Sequence, residues 1–296
     1  MTTIWSFPTR ILFGAGTVAQ CGPEAERLEA MSALVVTDPG IRDAGLVVEV
    51  TRSLEQAGVD TVMFNDIGTN PTEAEVLAAA AFYTDSGANL IVALGGGAPI
   101  DVAKLVRLAT SHPLPLAQYG DASGGGAKIR GPMPSMIAIP TTAGTGSEVG
   151  RSAMVTIEET NRKTIISSPR LLADVVILDP ALTFSLPPHL TAATGFDALT
   201  RNVEAYCAKG DHPMADAIAL AGIELIVHHI EAAVDDGKSL EARSALLEAS
   251  MMGGVASQKG LGACRALAHP LEAELGMHHG LANALCLPAV LDFNRT

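Results

Sequence analysis

Up to about residue 180 the chain alternates short, continuously apolar runs with longer segments in which apolar positions recur every three or four residues. The short runs predict β-strands: "RILFG" near the start, then 32–38, 60–66, 88–97, 135–142 and 174–180. The longer segments predict helices over 43–57, 72–86 and 99–110. Strands that are apolar on both faces and joined by helices form a parallel sheet covered on both sides, so this half reads as a Rossmann-like α/β nucleotide-binding domain. After Pro180 the pattern turns helical, over about 188–206, 213–234, 240–256, 262–275 and 279–290. The expected domains are therefore 1–181 (α/β) and 182–296 (all-α), with the ligand site between them. The low-complexity stretch "DASGGGAKIRGP" (121–132) reads as an exposed loop.

Composition narrows the function classes. With 296 residues, 48% of them hydrophobic and 17% charged, the chain can bury a large core. A net charge of −13 and the lack of clustered Lys and Arg exclude nucleic acid as an expected partner. "MTTIWSFPTR" lacks the pattern of a signal peptide, and Asp216 and Glu224 interrupt the apolar segment "DAIALAGIELIV". No membrane partner is expected, and the expected location is cytoplasmic. Cys21, Cys207, Cys264 and Cys286 are scattered, without metal or redox spacing, and read as reduced core residues.

In "LIVALGGGAPIDVAK", Gly95, Gly96 and Gly97 fall between a buried strand and a helix. Glycines there let the backbone approach a pyrophosphate, and the helix N-terminus offers free N–H groups; a plain tight turn would look the same. Asp38 ends the strand "VVTD", where it can accept the hydroxyls of an adenosine ribose and repel a 2′-phosphate, which favours NAD over NADP. "IPTTAGTGSE" adds Thr141, Thr142, Thr145 and Ser147 as donors for phosphates or ribose.

The helical half holds a second constellation. Asp197 and Arg201 in "DALTRNVEAY" are one helical turn apart, as are Arg265 and His269 in "CRALAHPLEAELGMHHGLANAL". His278 and His279 precede Gly280 at the expected start of the last helix.

Taken in order, "FGAG", "NPT", "GGGAPIDVAK", "PTTAGTGSE", "LDP", "GFDALTRNVEAY" and "AHPLEA…HHGLANA" resemble the motifs of the iron-containing (group III) alcohol dehydrogenase family over nearly the whole chain. In the family the last two read G-M-D-A-L-T-H-A-x-E-A-Y and A-H-x-L-G-A…P-H-G-x-A-N-A. The resemblance implies a dehydroquinate-synthase-like architecture with an NAD(P)-binding domain and a helical domain carrying one iron or zinc. It also implies hydride transfer between an alcohol and an aldehyde or ketone, the EC 1.1.1 type of reaction. By that likeness Asp38, Asn70, Gly96, Gly97, Asp101, Thr141, Thr142, Thr145 and Lys163 fall on cofactor-contacting positions, and Ala98 replaces a serine. His269 falls on a histidine near the nicotinamide that assists proton transfer. Family members continue through further helices, so the helical domain is expected to be truncated.

The family's metal ligands are one aspartate and three histidines. Asp197 and His279 match two of these positions, and Arg201 and Arg265 stand on the other two. Guanidinium has no lone pair to give a cation, and two ligands are too few for tight Fe²⁺ or Zn²⁺. The leading expectation is therefore an NAD-linked alcohol dehydrogenase or aldehyde reductase without a tightly held metal. In it Arg201 and Arg265 supply the lost positive charge or grip an anionic substrate group, Asp197 orients Arg201, and His269 relays the proton. The alternatives are an inactive nucleotide-binding paralogue and a metal-dependent enzyme with a rearranged ligand set. The acidic, Ala-rich helical half is compatible with a homodimer.

Overall fold

The structure is a computed structural model that describes Phe7 and residues 9–295. Its strands are β1 (Arg10–Phe13), β2 (Ser32–Val36), β3 (Asp60–Phe64), β4 (Leu90–Gly95), β5 (Ser135–Pro140), β6 (Ser152–Ile157), β7 (Arg162–Ser167) and β8 (Val175–Leu178). Six of them form one sheet in the order β1-β8-β5-β4-β2-β3, parallel throughout. β4 and β8 are buried along their whole length, which is why their sequences are unbroken apolar runs. From β2 the chain proceeds to β3 on one side, and from β4 to β5 on the other. The carboxyl ends of β2 and β4 thus flank the reversal in strand order, where open α/β sheets bind ligands.

The helices of this half are α1 (Cys21–Arg27), α2 (Pro39–Asp43), α3 (Val47–Gln56), α4 (Glu73–Ser86) and α5 (Gly97–Ser111). Gly45, at φ 76°, breaks the single helix expected over 43–57 into α2 and α3. Thr72 and Glu75 close a reciprocal capping box at the start of α4.

Two features depart from the expected pattern. β6 and β7 form an antiparallel hairpin that the apolar runs did not reveal, because burial alternates along β6 and β7 has one buried residue. The 121–132 stretch is mostly exposed but contains two 3-10 turns, and its Gly125 is buried. A Cβ on Gly125 would lie 2.4 Å from the Gln118 carbonyl oxygen, so this glycine serves close packing as well as loop freedom.

The second half folds as α6 (Pro188–Cys207), α7 (Pro213–Asp235), α8 (Leu240–Ala256), α9 (Ala263–Leu275) and α10 (His279–Asn294), with α6 packed against α7, α8 and α10. All five expected helices are present. By length and composition alone α7 could cross a membrane: its most apolar 18-residue window has a mean hydropathy of 1.6. It nevertheless packs along α6 and α8 as a bundle member.

The chain divides into two compact units. Residues 9–141 and 147–179 belong to the α/β unit, whereas Phe7, Thr142–Gly146 and the chain from Pro180 belong to the helical unit. Within the helical unit, a Cβ on Gly146 (φ 58°) would meet the Ser250 carbonyl oxygen at 2.6 Å, and one on Gly144 would meet Thr194 at 3.0 Å. These two glycines of "TAGTG" therefore let the segment lie against α8 and α6. The four cysteines are free thiols; Cys21 and Cys264 are buried, whereas Cys207 is exposed, contrary to its reading as a core residue.

Candidate active site

At the switch point of the sheet, Gly95 ends β4 with φ 150°, and a Cβ there would meet Pro99 Cγ at 2.7 Å and approach Asp38 Oδ2 to 3.4 Å. Gly96 caps α5 and Gly97 opens it, so the helix presents its N-terminal N–H groups beside this turn. Asp38 caps α2 through Oδ1, which accepts from the Ile41 N–H at 3.0 Å. Thr141 donates its N–H to the Gly95 carbonyl at 3.0 Å. The side-chain hydroxyls of Thr141 and Thr37 are both buried without a hydrogen-bond partner among the described residues. Orphaned hydroxyls at the ends of β5 and β2, beside a cradle that a Cβ would fill, fit a dinucleotide's ribose and phosphate oxygens. Thr37 was missed by sequence reasoning, which stopped at the charged residue after it.

The other candidate cofactor residues of this unit fall into two groups. Lys163 Nζ donates to Asn70 Oδ1 at 2.8 Å, so these two form one polar pair. Asp101 Oδ1 accepts from Ser147 Oγ at 2.5 Å and Oδ2 from the Met154 N–H at 2.9 Å. The buried Lys104 joins Asp101 in holding this segment, donating to Ser147 Oγ and to the Gly150 and Ser152 carbonyls at 2.9, 2.9 and 2.7 Å. The Asp and Lys of "GGGAPIDVAK" thus tie α5 to the 147–154 segment. Thr142 and Thr145 lie on the segment that belongs to the helical unit.

In the helical unit three helices each bring polar residues to one face. α6 supplies Asp197, Arg201 and Glu204; α9 supplies Arg265, His269 and Glu272; α10 supplies His279 and Asn283. The first two sets are spaced i, i+4, i+7 and the third i, i+4, so each set occupies one stripe. Gly280 allows α10 to reach α6, since a Cβ there would sit 2.0 Å from the Ala193 carbonyl oxygen. His278 is the N-cap of α10, its Nδ1 accepting from the Gly280 N–H at 3.2 Å, which turns it to a role separate from that of His279. Burial, then the neighbouring His279, lowers the His278 pKa.

Arg265 is the centre of the cluster. Its Nη2 donates to Asp197 Oδ1 at 2.9 Å, and its Nη1 lies 2.9 Å from His279 Nε2. Its Nε is 3.2 Å from Glu204 Oε2, within ion-pair range though without hydrogen-bond alignment. Glu204 Oε1 also accepts the Arg265 backbone N–H at 3.3 Å, near the start of α9. Asn283 Nδ2 gives Asp197 Oδ1 a second donor at 3.0 Å. His279 Nδ1 lies 3.2 Å from Glu272 Oε2, and the His279 and His269 rings stack with centroids 5.5 Å apart. Burial pushes the Asp197 pKa upward, but the charges of Arg265 and Arg201 and the Arg265 hydrogen bond outweigh it and hold it at about 2. Cys264, beside Asn283, is inert as a nucleophile: burial first, and then Glu204, push its thiol up to about 12.

This donor set does not fit a divalent ion. One Asp197 oxygen and the His279 Nε2 lone pair are turned onto the Arg265 guanidinium, and no group of three or more His, Cys, Asp or Glu among the described residues could hold a metal ion. In this cluster the residues that sequence reasoning missed are Glu204, Glu272 and Asn283. The available signal was the continuation of the Asp197/Arg201 and Arg265/His269 spacing by one more turn. Glu272 also stands where the family pattern A-H-x-L-G-A has glycine.

An α/β unit with a dinucleotide cradle and a helical unit with a buried polar cluster define a dehydrogenase-type oxidoreductase. The profile for iron-containing alcohol dehydrogenase matches residues 8–180, and that for the Fe-containing alcohol dehydrogenase family C-terminal region matches 191–296. The 4-hydroxybutyrate dehydrogenase of Cupriavidus necator is 41% identical over 97% of this chain and 75% of its own length. The crystal structure of a 1,3-propanediol oxidoreductase superposes with a TM-score of 0.95 at 37% identity, covering 99% of this chain and 76% of that one. Sulfoacetaldehyde reductase from Bifidobacterium kashiwanohense, in complex with NAD⁺, superposes with a TM-score of 0.90 at 31% identity, over 99% and 77%. The chain belongs to the iron-containing alcohol dehydrogenase family and is an alcohol dehydrogenase-type oxidoreductase, spanning about three quarters of the length of these relatives.

Proposed function

We propose that this chain is a cytoplasmic NAD(H)-linked enzyme that interconverts an alcohol and an aldehyde or ketone bearing an anionic group, without a tightly bound metal, Arg201 and Arg265 providing the positive charge. The observation that carries this reading is the Arg265 guanidinium lodged between Asp197 and His279. One N–H on each Nη is used there, which leaves the second N–H of each for a substrate oxygen. The retained cradle of Gly95, Gly96, Gly97 and Thr141, with the Asp38 carboxylate, supports NAD as cofactor, and the free thiols agree with a reducing compartment.

NADH held by the Gly95–Gly97 turn, Asp38 and Thr141 would supply hydride chemistry at the carbonyl carbon. Arg265 donates to the carbonyl oxygen and stabilises the charge that gathers there as the C=O bond becomes single. His269 gives that oxygen a proton in reduction and takes it back in oxidation. Arg201 pairs with the anionic end of the substrate. The names of two relatives support this class, since 4-hydroxybutyrate and sulfoacetaldehyde each combine the reacting group with an anion.

The test is NADH oxidation by the purified chain with 4-oxobutyrate, measured with and without EDTA, alongside elemental analysis of the desalted protein. Turnover unaffected by chelator, with metal well below one equivalent, is the expected result. Loss of turnover in EDTA would establish the rearranged-ligand enzyme, and NADH binding without turnover of any aldehyde would establish the inactive paralogue.

A further inference from the structure

We infer that Glu272 is a positioning residue that fixes the tautomer and orientation of His279, and through it the aim of Arg265. A guanidinium can only donate, so the 2.9 Å contact between Arg265 Nη1 and His279 Nε2 requires a lone pair on Nε2. The ring proton must then sit on Nδ1, which lies 3.2 Å from Glu272 Oε2, an acceptor. The order Glu272, His279, Arg265, Asp197 is thus a single chain of donors and acceptors in which each hydrogen bond sets the direction of the next. Arg265 is nearly buried, and its two carboxylate partners, Asp197 and Glu204, both come from α6. His279 is what it meets from α10, and Glu272 is what holds that imidazole by its far nitrogen. The stacked His269 ring restrains the imidazole plane.

Without Glu272, His279 is free to flip or to move its proton to Nε2. Either change points an N–H or a C–H at Arg265 and releases one arm of the fork. The consequence for turnover rests on the proposed role of Arg265; the tautomer itself does not.

The experiment is two-dimensional ¹⁵N–¹H correlation of the full chain labelled in its histidine rings, with the His279 signal assigned by its loss in His279→Gln. The wild type is expected to show the Nδ1–H pattern, Glu272→Gln to keep it because its amide oxygen still accepts, and Glu272→Ala to lose it. Turnover measured on the same samples should fall about tenfold in kcat for Glu272→Ala, with KM for NADH unchanged, and Glu272→Gln should recover most of it. A purely structural role in α9 would leave the imidazole pattern unmoved. An Nε2–H or doubly protonated His279 in the wild type overturns the inference, as does an Nδ1–H pattern that persists in Glu272→Ala. Collapse of that pattern with full turnover would uphold the positioning role and refute the use of Arg265 on the substrate.

Discussion

The two units keep their sites by different means. In the α/β unit the cradle is made of backbone: a glycine at φ 150°, a helix N-terminus and the ends of two parallel strands. The backbone sets its shape, and the Asp38 carboxylate and the Thr37 and Thr141 hydroxyls add only a few polar groups to it. In the helical unit the site is built mainly of side chains held on three helices, where the Arg265 guanidinium joins Asp197 and His279 in one polar cluster. A backbone-built site resists substitution, whereas a side-chain-built site can change its chemistry while the fold stays fixed.

The sharpest way to break this comparison is Arg265→Ala. It would leave Asp197 and Glu204, both nearly buried, without their main counter-charge. Removing one partner of a buried ion pair costs about 3–5 kcal/mol, and that loss is expected in urea unfolding of the full chain. A loss below about 1 kcal/mol would mean that the cluster is bathed in water and that Arg265 is incidental to it.

The same contrast explains what was legible in the sequence. Strands such as β4 and β8 could be read because burial on both faces leaves an unbroken apolar run, and α6 to α10 because their Ala- and Leu-rich segments run well beyond strand length. The β6–β7 hairpin could not, since it is half-buried and its short alternation competes with loop composition. Asp197, Arg265, His269 and His279 were each found as candidates, but their wiring was not. Helical spacing pairs Asp197 with Arg201 on its own helix, while the hydrogen bond described here comes from Arg265, 68 positions along the chain. Partners between helices follow from packing, and packing is set by approaches such as that of Gly280 to Ala193, which no local pattern shows. Likewise, the switch point beside Gly95 exists only once the strand order is known.

A second, smaller effect should appear with acid. The Asp197 carboxyl is held at about 2 against an ordinary value of 3.8, so the folded state favours its ionised form. Its contribution to stability is fully present above about pH 4 and is lost as the pH falls through about 2, amounting to roughly 2 kcal/mol. Denaturant midpoints measured from pH 5 to pH 2 should decline over that window, and in Asp197→Asn the part of the decline due to this residue should vanish. An equal decline in the variant would assign the acid sensitivity elsewhere and remove the evidence that the arginines act on Asp197.

The smallest effect on stability is expected in the α/β unit and tests whether its site extends beyond the switch point of the sheet. Lys163 reaches Asn70 across a partly exposed surface, where a single polar pair contributes less than about 0.5 kcal/mol. Lys163→Ala should therefore unfold at nearly the wild-type denaturant concentration. If the pair nonetheless contacts the cofactor, as the family likeness proposes, NADH affinity measured by fluorescence titration should fall by about three- to tenfold, the share of one charge-assisted hydrogen bond. An unchanged affinity would instead leave NADH to the glycine turn, Asp38, Thr141 and the α5 N-terminus. The α/β site would then be confined to the switch point of the sheet, with Lys163 and Asn70 outside it.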